Sequence, residues 1–302
     1  MTKSNAASKN AAAPNSDDTH KFRSQISTAV IPSVGPDDWS LHEASREVWQ
    51  QTCAIPIGRG KSGKSTVSRL LVECAKMAGR PLRFSDLDPT NIGLKDTHTD
   101  ALGPGDAHPV TLHDYTRAEM EKLVEGHESG LMDFGAGNPA FETLLREVNL
   151  GRLLKRMNKQ RQLFCLLGPH RGDLSQINTF LSLPGLDDAH VVLCLNEGLV
   201  PPGREISALD AYAQSKPVLD ALDRGARLIR LPRLSAADRI EDLGLTFRDA
   251  ALGRANIAGK RLGQIDTQIT AEWLLRLPKS FEPIEDWMGF APVENLLSGV
   301  EA

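Results

Sequence analysis

The sequence predicts a three-layer α/β fold, with a mostly parallel sheet and helices on both of its faces. Two observations carry that prediction. Short apolar runs alternate with stretches of helical period from residue 51 onward, which implies parallel strands buried on both sides. The first run opens directly into GRGKSGKST, residues 58–66, a loop rich in glycine and lysine ahead of an amphipathic segment. Ligands of such sheets sit at the carboxyl ends of the strands. The chemistry is therefore expected in the loops that follow each run.

Taken in order, TCAIPI reads as the first strand, and STVSRLLVECAKMAG as a helix with Val67, Leu70, Leu71 and Cys74 on one face. RPLRFSD is the second strand, and LVEGHESGLMDF holds a third that ends at Asp133. FETLLREVNLGRLLKRM has a helical period, QLFCLLG and AHVVLCLNE are strands, and ARLIRLP is the last. Four regions follow: a disordered tail over 1–23, an N-terminal extension over 24–50 with a short helix in LHEASREVWQ, the main domain over 51–253, and a helical C-terminal extension over 254–302.

Composition excludes several classes. The 302 residues suffice for a real core, and 40% hydrophobic with 25% charged residues is ordinary for a soluble domain. A net charge of −4 does not by itself demand nucleic acid. The cysteines at 53, 74, 165 and 194 are scattered among apolar residues and form no C-x-x-C, so buried reduced thiols are expected rather than a zinc site. No apolar run approaches the ~20 residues of a membrane span, and the N-terminus lacks a signal core. A cytoplasmic protein is expected.

Gly58-x-x-x-x-Gly63-Lys64-Ser65 matches the phosphate-loop pattern in full. Glycines let the backbone curl so that the N–H groups of Gly60, Lys61, Ser62 and Gly63 turn toward an anion, and the helix behind adds its positive end. Lys64 is expected to reach the β and γ phosphates of ATP, Ser65 to hold Mg²⁺, and Thr66 to lie beside the α phosphate. Such a loop needs a metal-side carboxylate on another strand tip. GLMDFGAG supplies Asp133, whose plainer role is to cap a turn; Gly135 and Gly137 would bring a backbone N–H near the γ phosphate. In SDLDPTN, Asp86 and Asp88 face the same way if the strand continues. They would orient water or support the metal; an Asx turn is the other reading.

In this order and spacing the motifs resemble the ParA/MinD family of P-loop ATPases over roughly residues 51–250. The family loop reads K-G-G-x-G-K-[ST]. Here Arg59 stands where the signature lysine would be, and Lys61 replaces the second glycine. Arg59 keeps the charge and forks onto phosphate oxygens. The resemblance gives Asp88 the catalytic, water-orienting role with Asp86 in support, makes DFGAG the second carboxylate motif, and points Asn196 of VVLCLNEG at the adenine. A turn cap is the alternative for Asn196. DFGAG, VVLCLNEG and LTFRDA look most like the TraL-type proteins of conjugal transfer. The resemblance implies an ATP-hydrolysing switch, a homodimer on ATP binding, released on hydrolysis, with an activating protein partner and a role in plasmid partition, DNA transfer or cargo positioning.

MinD-like members reach the membrane by a basic C-terminal helix. This C-terminus carries Glu282, Glu285, Asp286, Glu294 and Glu301, so that route is not expected. DNA is the other surface. Arg152, Lys155, Arg156 and Lys159 share one helical face by spacing, and Arg254, Lys260 and Arg261 add to the charge; a plain solvated face is equally consistent. A P-loop small-molecule kinase and a nucleotide-binding scaffold with little hydrolysis remain as other classes. No arginine-rich lid marks the kinase, and Arg59 keeps the scaffold open.

Overall fold

The computed structural model describes residues 50–88, 98, 109–135, 143, 147–170, 172–175, 188–201, 207–298 and 300. The tail, the N-terminal extension up to residue 49 with its expected helix, and Gly137 lie outside the described residues.

Six strands form one sheet: β1 (Thr52–Ile57), β2 (Leu82–Asp86), β3 (Ser129–Asp133), β4 (Gln160–Leu167), β5 (His190–Asn196) and β6 (Arg227–Leu231). Their order is β2-β3-β1-β4-β5-β6, and every pairing is parallel. Among the described residues the sheet is parallel throughout, and the expected three-layer α/β fold is present. The helices are α1 (Lys64–Met77), α2 (Pro109–Glu125), α3 (Leu150–Arg156), α4 (Ser207–Ala213), α5 (Lys216–Asp223), α6 (Ala237–Asp242), α7 (Phe247–Ala251) and α8 (Gln264–Phe281).

The three layers follow from period-two alternation along each strand. On β4, Phe164 and Leu166 join a core with α1, α6, α7 and α8. Leu163, Cys165 and Leu167 join a second core with α2, α3, α4 and α5. Both faces are covered, which is why the strands read as continuous apolar runs. All four cysteines are buried and free.

Two sequence expectations change. The helix read across 141–157 is interrupted: Asn149 sits in the left-handed region (φ 45, ψ 57), and its side chain accepts from the Arg152 N–H to start α3 afresh. Residues 264–300 do not stand apart as an appendage either. Trp273, Leu274, Leu277, Phe281, Ile284, Phe290 and Leu296 belong to the same core as β4, β5 and α1.

Candidate functional site

β1 delivers the chain into the glycine loop, and the loop into α1. A Cβ on Gly58 would come within 2.4 Å of Ser62 Oγ and 3.0 Å of Leu166 Cβ, so only glycine lets the loop close onto β4. Gly63 has φ 93, and a Cβ there would lie 2.4 Å from Asn196 Nδ2. Lys61 also adopts positive φ. Ser62 N–H donates to Arg59 O (3.1 Å), closing a turn.

α1 starts at Lys64 with Gly63 as N-cap, and no side chain caps it. The first bond back into the helix is Val67 N–H to Gly63 O. The amides ahead of it have no intrahelical acceptor, and the helix dipole adds positive potential there. Ser62 Oγ is buried with no partner among the described residues. The first-turn amides of α1, the orphan Ser62 hydroxyl and the space kept by glycine fit an anion, while the Ser62 N–H, expected at the phosphates, is taken by Arg59 O.

Sheet order brings the carboxylates to this cradle. β3 lies directly beside β1, and Asp133 at its tip is the Cα partner of Asp86 at the tip of β2. The Ser65 and Ser68 hydroxyls and the Lys64 ammonium favour the charged form of the Asp133 carboxyl. Burial, then the Asp86 charge, push the Asp133 carboxyl up to about 7, against the pull of Lys64 and Ser65. Lys64 Nζ donates to Gly58 O (3.2 Å) and Arg59 O (3.3 Å). Burial lowers its pKa, opposed by Asp133 and Asp88. Ser65, Asp133 and Asp86 offer hard oxygens, the donor set that suits Mg²⁺.

Other residues differ from expectation. Asp86 and Asp88 do not face the same way by alternation, because β2 ends at Asp86. The Asp88 N–H turns back to Asp86 Oδ1 (3.2 Å), an Asx turn. The Asp88 carboxyl lies over Gly135, where a Cβ would meet it at 2.5 Å. Asn196, expected at the adenine, has both amide atoms engaged within the protein. Its Nδ2 donates to Ser62 O (2.9 Å) and its Oδ1 accepts from Gly198 N–H (2.9 Å). It caps the turn and also fastens the loop, so a base contact would need it to let go. Thr66 is half-buried on the first turn of α1 and Gly60 is exposed on the loop.

Sequence reading missed Asp173. It is buried, accepts from Gly168 N–H (3.0 Å) through Oδ2, and faces Arg59 Nε with Oδ1 (3.1 Å). The signal was present in GPHRGD, a polar segment directly after the β4 strand end. His170 of the same segment is exposed and contributes its carbonyl to Tyr212 OH.

The basic face also changes. Lys159 lies beyond the end of α3 and is buried, its Nζ donating to Leu123 O and Glu128 O. It cannot serve an exposed patch. Lys155 pairs with Asp188 (2.8 Å), leaving Arg152 and Arg156 exposed beside it.

No protein-family model matches this chain, and no curated protein matches it. Among solved structures it aligns with a GTPase in apo form from Pyrococcus abyssi, at 13% identity and a TM-score of 0.32, over 60% of this chain and 90% of that one. A likeness at that score says nothing about the chemistry of this chain.

Proposed function

We propose that this chain binds a nucleoside triphosphate with Mg²⁺ at the β1–α1 loop and hydrolyses it. One observation carries the reading: Asp133, at the tip of the strand directly beside β1, feels Lys64 and Ser65 of the first turn of α1, behind a glycine loop with no side-chain cap. The loop amides would hold the phosphate chain. Lys64 would leave the carbonyls of Gly58 and Arg59 for the β and γ phosphates. Ser65, Asp133 and Asp86 would hold Mg²⁺, which draws charge from the phosphates when bound. Asp88 would orient water, and Arg59 would add its guanidinium to the developing charge.

The finer reading is an ATPase of ParA/MinD type, dimerising on ATP and acting in plasmid or DNA partition, transfer or cargo positioning. Its support is the order of the loop, D-x-D-P and DFGAG motifs. A second reading, a nucleotide-binding scaffold with little hydrolysis, has one observation in its favour: Arg59 faces Asp173 of its own chain.

Calorimetry with Mg-ATP and Mg-GTP, and phosphate release with and without DNA, test these readings. Wild type is expected to bind Mg-ATP and turn it over, and Lys64→Ala to lose at least about tenfold in affinity together with turnover. Preference for Mg-GTP would reject the ATPase reading and keep the site. Binding without release would favour the scaffold. No affinity for either nucleotide would overturn the proposal. A mass that doubles with a non-hydrolysable ATP analogue but not with ADP is the expected sign of the switch.

A further inference from the structure

Residues 256–260 form a tight turn whose construction serves one residue. Gly259 N–H donates to Asn256 O (2.9 Å), Asn256 N–H to Lys260 O (2.8 Å), and Lys260 N–H to Asn256 Oδ1 (2.9 Å). Asn256 Nδ2 ties the turn down on Leu243 O (2.7 Å), and Gly259 supplies the positive φ of 75. At the tip stands Ile257, 105% exposed, with a second isoleucine, Ile265, 78% exposed on the first turn of α8. Lys260 and Arg261 lie between them, exposed and with no ion pair among the described residues, while Arg254 pairs with Asp249. A lone exposed isoleucine needs no explanation. One presented at the tip of a turn closed by four hydrogen bonds, with two cations free of ion pairs among the described residues just behind it, is a different object.

A matching receptacle lies on the same chain. Met120, Val124, Val148, Leu150 and Leu153 line a cavity of about 280 Å³ between α2 and α3, with Arg117, Glu121 and Glu125 at its rim. That is about nine water volumes, room for an isoleucine side chain. Val148 is 48% exposed. Arg117 pairs with Glu121, which leaves Glu125 as the unbalanced charge of the rim. The knob is apolar with Lys260 and Arg261 close behind it, and the cavity is apolar with Glu125 as the one unbalanced charge among its lining residues.

The two features cannot meet within one molecule. The cavity is built on α2 and α3, which cover one face of the sheet, and the knob rises between α7 and α8, which cover the other. We infer that Ile257 of one copy of this chain seats in the α2–α3 cavity of a second copy, with Lys260 and Arg261 facing Glu125. The two surfaces differ, so the contact is head-to-tail and propagates into a ring or an open filament. It requires no nucleotide and is independent of the proposed phosphate site. Broad polyanions fit the knob less well. The turn is fastened to the end of α6, whose Asp238, Glu241 and Asp242 are exposed and would face an anionic bilayer or a duplex along with it.

Sedimentation without nucleotide and with chelator tests the inference. Wild type is expected to show mass rising with concentration. Ile257→Asp and Val148→Asp change only exposed side chains, and each alone should weaken association at least about tenfold. Mixing the two should restore it, but only as a dimer. The Ile257→Asp chain still offers a cavity and the Val148→Asp chain still offers a knob, so the pair cap each other. Glu125→Lys should weaken wild type and be rescued by Lys260→Glu with Arg261→Glu. A wild type that stays monomeric at its highest soluble concentration overturns the inference. So does an Ile257→Asp chain that associates like wild type, or a mixture without a dimer. Binding of Ile257 to phosphatidylserine vesicles or to duplex DNA by a monomeric chain would assign the knob elsewhere and also overturn it.

Discussion

Gly63 shows how much one position carries. Its φ of 93 strains any side chain, and a Cβ would press on Asn196 Nδ2 at 2.4 Å. Gly63→Ala is expected to cost about 1–2 kcal/mol and to lower the melting temperature by several degrees. Part of that cost comes from driving Asn196 off Ser62 O, so Asn196→Ala should relieve it. In a double-mutant cycle read by thermal melting, the pair should therefore destabilise less than the sum of its singles. Strict additivity would mean that the amide does not fasten the loop. The glycines, Lys64, Ser65, Asp86, Asp88 and Asp133 were legible in the sequence, because loop spacing and strand ends are local patterns. The work of Asn196 was not, since the carbonyl it holds is 134 residues away. Nor was the partner of Arg59, which depends on how the segment after β4 meets the loop.

At the scale of elements, α1 is the instructive case. Its apolar face over Val67, Leu70, Leu71 and Cys74 was readable from period alone, and all four are fully buried. Its other face was not readable. Arg69 and Glu73 look like solvated residues in the sequence, yet both are buried. Glu73 accepts from Phe247 N–H (2.8 Å) and Arg248 N–H (3.0 Å), capping α7, while Arg69 donates to Leu245 O (2.8 Å). Burial raises the Glu73 carboxyl from its ordinary 4.5 to about 7, against the opposing pull of those two amides and Arg69. Between those values the folded chain holds a proton that the unfolded chain has released. Stability from this group is therefore present below about 4.5 and lost as pH rises through about 7. The melting temperature of wild type relative to Glu73→Gln should be highest in acid and fall toward neutrality. A difference that grows with pH would mean that the amide contacts to the carboxylate outweigh its burial.

Over the whole molecule, the C-terminal third is part of the core rather than an addition to it. Trp273 is fully buried, donates Nε1–H to Pro232 O (2.8 Å) and packs on Phe247 at 5.1 Å between centroids. Trp273→Ala should cost about 3–5 kcal/mol, seen as a lower urea midpoint. A chain ending at residue 263 should fail to fold, because Trp273, Leu274, Leu277, Phe281 and Leu296 would be missing from the core shared with β4, β5 and α1. A cooperative melt from that truncation would contradict the shared core.

By itself the sequence determined the six strands, the alternation that makes the sheet parallel and doubly covered, and the glycine loop with its lysine and serine. Each is written in neighbouring residues, as a period of two or a spacing of glycines, and needs no distant partner to be read. Tertiary structure alone decided what Arg59, Asn196 and Lys159 hold, and that the C-terminal helix closes the core. Those outcomes are contacts between segments far apart in the chain, set by the strand order β2-β3-β1-β4-β5-β6, and no local pattern encodes that order.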